Sequence, residues 1–294
     1  MKFSKKSLNL VRDVIRFFLT PRTYGLIRFI ITHRYIPSFS KPISWNEKIQ
    51  HRKYFVDPSE LAIYVDKYYV REFVSKEIGA EYLIPIIARF TRLEEASFDL
   101  LPDEYVMKSS NGGGGVNVFI KKSGDQFDTT KLIRDFNYNL ENKLGSKIDE
   151  LFYDYYDPSI IVEELISSHN SSPLLDYKFH VFSVDGVCTK IFLQINSDYG
   201  KESETKTLYD LEGTILDMQF DGYNYGPNTI ELPQNFPRMI ELAKKLAARL
   251  SYARVDLYNV EGKIYFGEIT VCPASGWDRL VDKKFDFSLG EFWV

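Results

Sequence analysis

The chain has 294 residues, 44% of them hydrophobic and 15% aromatic, with a formal net charge of −4. That length holds one large or two moderate domains around a real core, and the composition excludes a disordered chain. Two cysteines, Cys188 and Cys272, exclude a disulfide framework and point to a reducing, cytoplasmic setting.

The charge is unevenly spread. Residues 1–41 carry nine Lys and Arg against one acid, Asp13, which is +8 there and −12 over the rest. Leu8, Val11, Ile15, Phe18 and Leu19 follow helical spacing, with Lys5, Arg12 and Arg16 elsewhere on the wheel. Two readings fit this basic helical extension. It lies on an anionic membrane surface through residues 1–36, at the inner face, or its apolar stripe packs on the protein's own core. The acidic remainder argues against nucleic acid as a partner. No run of 18 apolar residues predicts a spanning helix. Arg12, Arg16 and Arg28 interrupt the apolar segments, against a signal peptide.

After Pro42, Ser44 and Glu47 have capping-box spacing for a helix start. Val65, Tyr68 or Tyr69, Phe73 and Ile78 predict a helix that stops at Gly79, before an apolar strand over 82–90. Residues 101–122 read as strand, glycine loop and strand, 129–144 as a helix, and 159–166 as a buried strand ending in carboxylates. A hairpin over 176–195 turns at Asp185–Gly186, and an amphipathic helix over 237–251 delivers the chain to a second hairpin, 254–270. Mixed helices and hairpins make the class α+β.

That second hairpin, RVDLYNVEGKIYFGEIT, carries the most chemistry. With Val260, Glu261 and Gly262 as a three-residue loop, Arg254 faces Glu268. Arg254, Asp256, Phe266, Glu268 and Thr270 then share one face, and Val255, Leu257, Tyr265 and Ile269 the other. Asp256 and Glu268 become diagonal neighbours on an open face, where two carboxylates can converge on a hard cation. A cross-strand ion pair beside a solvated Asp256 fits the same register.

Three further stretches stand out. Lys108 ends a strand just before Gly112, Gly113, Gly114 and Gly115, which is either a flexible hairpin tip or a flap whose N–H groups close over phosphates. Glu163 and Glu164 end an apolar strand. They fit an edge strand with one acid outward and one paired, or a nucleotide hinge in which the backbone of Glu164 and Ile166 meets adenine. Lys178 in DYKF shares a face with Asp176 and His180, either solvated or aimed at a transferring phosphoryl group.

In order, these residues resemble the ATP-grasp superfamily, and within it the TupA-like group associated with cell-surface polysaccharide biosynthesis. The matches are DKYYVREFV…IGAEYLIP, the Lys108 strand with its glycines, VEELI, DYKF, and Asp256 with Glu268-Ile269-Thr270 before PASG. They cover roughly residues 42–290. The resemblance implies an ATP-grasp fold, two α+β subdomains gripping ATP, and an ATP- and Mg²⁺-dependent ligase that joins a carboxylate to an amine through an acyl phosphate. Its substrates are expected to be a polysaccharide or sugar acid, such as a uronic acid, and an amino acid or other amine.

Under that resemblance Asp256, Glu268 and Thr270 hold Mg²⁺, and Lys108, Gly112–Gly115, Glu163, Glu164, Ile166 and Lys178 bind ATP. Lys178 and Arg254 stabilise the transferring group, and Ser275 and Gly276 meet the substrate. Thr270 stands where many such enzymes have Asn, and neither a ribose-binding acid nor a base is evident. The expected division is a basic extension (1–41), an N-terminal subdomain (42–100), a small subdomain with flap and hinge (101–166) and a large subdomain with the metal site (167–294). A glycosyltransferase is the rival, but the chain has no D-x-D. A non-catalytic nucleotide-binding relative is the other.

Overall fold

The computed structural model describes residues 16, 18–113, 117–167, 174–198 and 200–294. Helix starts follow the capping chemistry. Thr20 accepts a hydrogen bond from the Thr23 N–H, and Pro21 fills the first turn of α1 (Pro21–His33). Ser44 and Glu47 form a full capping box at α2 (Trp45–Phe55). The stretch expected as one helix from Val65 to Gly79 is instead broken. The Asp66 carboxylate caps the N–H groups of Tyr68 and Tyr69, so α3 (Pro58–Val65) stops and α4 (Val70–Glu77) starts afresh.

The first sheet holds β1 (Ile86–Phe90), β2 (Tyr105–Ser109), β3 (Val118–Lys121) and β4 (Ile160–Glu163), antiparallel in the order β1-β4-β2-β3. The helix α5 (Thr129–Glu141) is followed by a short α6 (Leu144–Ile148). Phe136 of α5 packs with Leu93, Tyr105, Met107, Ile160 and Val162 in one core. Strand alternation then sends Lys108 and Glu163 to the opposite face. β4 is an inner strand, so the edge-strand reading of Glu163 does not hold.

The second sheet, ordered β7-β6-β5-β8-β9, contains β5 (Asp176–Val184), β6 (Val187–Ser197), β7 (Thr205–Tyr209), β8 (Tyr252–Val260) and β9 (Lys263–Thr270). Its apolar face, with Phe179, Val181, Val255, Leu257 and Ile269, packs on α7 (Phe236–Ala247) through Phe236, Met239, Leu242 and Leu246. The other face carries Lys178, His180, Gln194, Arg254, Asp256, Glu268 and Thr270, paired strand to strand. α2 covers the His180 end of that face, with Trp45 6.0 Å from the His180 ring. A 3-10 turn (Pro273–Gly276) and α8 (Lys283–Glu291) end the chain.

The β8–β9 register differs from the expected one. The loop has two residues, Glu261 (φ 52) and Gly262 (φ 89), both left-handed, and Val260 pairs with Lys263. Leu257 therefore faces Phe266, which is buried, and Tyr265 moves to the face of Asp256. A bulge at Gly267 then restores the pattern, so Asp256 lies directly opposite Glu268, not diagonal to it, and Arg254 lies opposite Thr270. A Cβ on Gly267 would lie 2.9 Å from the Asp256 carbonyl oxygen. We expect Gly267→Ala to cost about 1–3 kcal/mol in urea unfolding, since the obstacle is backbone, and to displace Asp256 from Glu268.

The helices of residues 45–78 share one core with residues 177–293, and β1 joins the first sheet. The segment 42–100 is thus divided between the two sheets, and the unit with the glycine loop begins before residue 101. Of the expected N-terminal stripe, Leu8, Val11 and Ile15 lie outside the described residues. α1 beyond it packs Gly25, Phe29 and His33 inward.

Candidate active site

The polar face of the second sheet meets the Lys108–Glu163 face of the first across a cleft. At its centre Asp256 is 1% exposed. Its Oδ2 accepts from Lys178 Nζ (2.6 Å) and Arg254 Nη2 (2.7 Å), and its Oδ1 from Arg254 Nε (2.7 Å). Burial alone would raise the Asp256 carboxyl, but Arg254 and Lys178 outweigh it and hold the group below the usual range. The same Arg254 Nη2 donates to Glu268 Oε1 and Thr270 Oγ1, each at 3.0 Å. Lys178 also contacts the Asp176 carboxylate. Burial, then the nearby Asp256 charge, pushes Asp176 up to about 6.

Three oxygens, from Asp256, Glu268 and Thr270, thus converge within 3.0 Å of one nitrogen. That donor set is hard and suits Mg²⁺, which commonly takes one or two carboxylates and fills its shell with phosphate and water oxygens. Among the described residues no cluster of three or more His, Cys, Asp or Glu could hold an ion, so the residues fit a shared metal and not a closed protein cage. The expectation that both carboxylates stand on an open face holds for Glu268 alone, whose side chain is 31% exposed.

On the facing sheet Glu163 takes Lys108 Nζ at 2.5 Å and Arg71 at 3.0 Å. Lys67 contacts the Gly112 carbonyl and lies near both Glu268 and Lys108, and Asp66 accepts from Ser110 at 2.8 Å. The run DKYYVREFV therefore serves the cleft directly: Asp66 and Lys67 seat the glycine loop and Arg71 seats Glu163. Gly112 and Gly113 are described, and Gly114 and Gly115 lie outside the described residues. Glu164 is exposed, and its N–H donates to Pro85 O at 3.1 Å. Ile166 lies beyond the strand end.

The turn after β9 is strained, with Ala274 (φ 47) and Ser275 (φ 56) left-handed before Gly276. It is clamped from below. Gln50 donates to Ser275 O at 2.8 Å, Lys53 Nζ to Ser275 Oγ at 2.8 Å, and His33 Nε2 meets Gly276 O at 3.0 Å. The Ser275 N–H, expected to face substrate, instead donates to Cys272 O at 2.9 Å. Sequence reasoning missed three groups here. Glu150 is 3% exposed, with no Lys or Arg within ion-pair distance among the described residues. Burial pushes it up to about 7, opposed by Lys53 and by Ser275. Tyr153 links it to the cleft, near both Glu268 and Gly113. Lys206, paired with Asp278, is near enough to Arg254 and Lys178 to feel their charge. Only three-dimensional proximity marks these groups, since no local motif surrounds them.

Two antiparallel sheets with helices, facing each other across a cationic, carboxylate-bearing cleft, define the ATP-grasp fold of α+β class. The model of the TupA-like ATPgrasp family matches residues 47–294, and the chain belongs to that family. Among solved structures it is similar to D-alanine–D-alanine ligase from Helicobacter pylori, at 16% identity and TM-score 0.44, over 79% of this chain and 61% of that one. It is also similar to N5-carboxyaminoimidazole ribonucleotide synthetase in an ADP complex (13%, TM-score 0.43, 80% and 58%). A third is L-amino acid ligase from Bacillus licheniformis (14%, TM-score 0.43, 76% and 47%). The chain spans 47–61% of the length of these enzymes. A search of curated proteins returned no match.

Proposed function

We propose that this protein is an ATP- and Mg²⁺-dependent ligase that joins a carboxylate to an amine. Its carboxylate would be a uronic acid of a cell-surface polysaccharide and its amine an amino acid or simpler amine. The observation that carries this reading is the convergence of Asp256, Glu268 and Thr270 on Arg254 Nη2, beside Lys178 and near Lys108 and Lys67.

In this reading Asp256, Glu268 and Thr270 hold the metal, which supplies charge neutralisation to the phosphates. Lys108, Lys67 and the N–H groups at Gly112 and Gly113 cradle the triphosphate, and the backbone of Glu164 and Ile166 meets the adenine edge. Lys178 and Arg254 stabilise the phosphoryl group as it moves to the substrate carboxylate, giving an acyl phosphate and ADP. Attack by the amine forms the amide, expels phosphate and releases a proton. Glu150, poised near neutrality beside the Ser275 turn, takes that proton.

Thermal unfolding with Mg²⁺ and a non-hydrolysable ATP analogue is the direct test. Binding to the folded state at a hundredfold excess over Kd adds about 2.7 kcal/mol. ADP release should follow only when uronic-acid polysaccharide and an amine are both present. A shift with a UDP-sugar and none with any adenine nucleotide would overturn the ligase reading in favour of a glycosyltransferase.

A further inference from the structure

α1 buries one face and leaves the other bare. Gly25, Phe29 and His33 point inward, whereas Ile27, Ile30 and Ile31 are exposed, Ile31 by 73%. Phe18 (77%) precedes the helix and Ile36 (82%) follows it. Residues 27, 30, 31 and 34 share one helical face, so the apolar ridge leads to Arg34 at the C-cap.

Arg34 lines a cavity of about 450 Å³ together with His33, Arg279, Asp282 and Lys283, drawn from the far end of the chain. Arg279 pairs with Asp221, and Asp282 caps α8 and pairs with Lys284. Arg34 and Lys283 have no carboxylate within ion-pair distance among the described residues. Val281, beside the cavity, is another exposed apolar side chain. An apolar ridge running into a cationic hollow is a poor surface to leave in water. It has the two chemistries of a phospholipid interface: acyl chains for the ridge and phosphate for the hollow. The charge distribution points the same way. Residues 1–41 carry +8 in a chain of net −4, and Lys2, Lys5, Lys6 and Arg12 lie in the segment that precedes this ridge.

We propose that α1 and the Arg34–Lys283 hollow form a docking surface for an anionic phospholipid bilayer. Ile27, Ile30 and Ile31 enter the acyl boundary, and Arg34 and Lys283 meet lipid phosphate. The opposition between a core helix and a membrane helix then dissolves, since α1 does both with opposite faces. The surface is separate from the ligase reading in the residues that would meet lipid, since Ile27, Ile30, Ile31, Arg34 and Lys283 have no part in the candidate active site. His33, at the edge of the hollow, also holds the Gly276 carbonyl.

Full-length protein is co-sedimented with phosphatidylcholine vesicles containing phosphatidylglycerol, beside pure phosphatidylcholine. Binding should need phosphatidylglycerol and fall with salt. The exposed pair I27Q/I31Q and the pair R34E/K283E should each weaken it by about tenfold or more, with thermal unfolding unchanged. Hydrogen exchange on the wild-type chain gives a reading that needs no variant: vesicles should protect amides near 18–36 and 279–283. Equal binding to neutral vesicles, wild-type binding by both variants, or protection elsewhere would overturn the proposal. So would binding lost on deleting residues 1–15 but kept by both variants, or a dimer that I31Q dissociates without any vesicle binding, which would make a second copy the occupant.

Discussion

Asp256→Asn is expected to lose stability and turnover together, and Glu268→Gln to lose turnover alone. Both variants remove a carboxylate from the same converging set, but the two sites differ in solvent. Asp256 is 1% exposed and neutralises Lys178, which is buried, and Arg254, whose side chain is 13% exposed. Removing its charge leaves Lys178 with Asp176 and Arg254 with Glu268 as their remaining acidic partners. The loss approaches the roughly 3–5 kcal/mol of a broken buried pair only as far as those partners fail to compensate. Glu268 shares Arg254 with two other acceptors and is partly in water, so its charge contributes about 1 kcal/mol or less. Urea unfolding should therefore show a midpoint fall for Asp256→Asn and almost none for Glu268→Gln. ADP release should fall by about 10²-fold or more in Glu268→Gln, the scale of losing one preorganised electrostatic contact to the transition state. Near-normal turnover in Glu268→Gln at saturating Mg²⁺ would remove it from the metal set. Unchanged stability in Asp256→Asn would mean that Lys178 and Arg254 find other partners.

Glu150→Gln is expected to remove a pH dependence from both stability and rate. Burial raises the Glu150 carboxyl in the folded protein from 4.5 to about 7. Between those values the native state holds a proton that the unfolded chain has released. The stabilisation from the protonated form is complete below about pH 4.5 and is lost as pH rises through 7, a change of about 3 kcal/mol for a shift of this size. Lys53 and Asp149 are the charged groups nearest to it, and Ser275, Tyr153 and Cys272 complete its surroundings. Gln cannot ionise, so Glu150→Gln should gain on the wild type steadily between pH 5 and pH 8 in urea unfolding. As the base for the amine, Glu150 should also give a rate that rises through pH 7, and its loss should cost about 10²–10⁴-fold. A variant that gains stability at high pH yet keeps the wild-type rate profile would show a buried acid with no part in proton transfer.

The two effects separate cleanly because their sources were differently visible. Asp256 and Glu268 were legible as a pair because a three-residue loop puts them on one face, and the two-residue loop does so as well once the bulge at Gly267 restores the alternation. The register itself was not legible. Val260-Glu261-Gly262 and Glu261-Gly262 are both acceptable loops for NVEGK, and the two-residue loop closes with a bulge at Gly267. A bulge displaces every side chain on one side of it by one position, which is why Phe266 and Tyr265 changed faces. The burial of Asp256 was hidden for a different reason. It follows from Lys178 on the neighbouring strand and from the first sheet across the cleft, neither of which the hairpin encodes.

The sequence by itself determined what depends on near neighbours: the Ser44–Glu47 cap, the Asp185–Gly186 turn, the amphipathic period of α7, and the order of glycine loop, acidic strand and carboxylate hairpin along the chain. Each rests on backbone preference or on contacts within a few residues, so no fold is needed to read it. Tertiary structure alone decided which of these groups meet. Lys67 reaches Gly112, Arg71 reaches Glu163, Lys53 reaches Ser275, and Glu150 sits among them with no motif to mark it. Those contacts join residues tens to hundreds of positions apart. What makes Glu150 titrate near neutrality and Asp256 too costly to replace is desolvation by surfaces from the rest of the chain, a property of the packed molecule that no local stretch possesses.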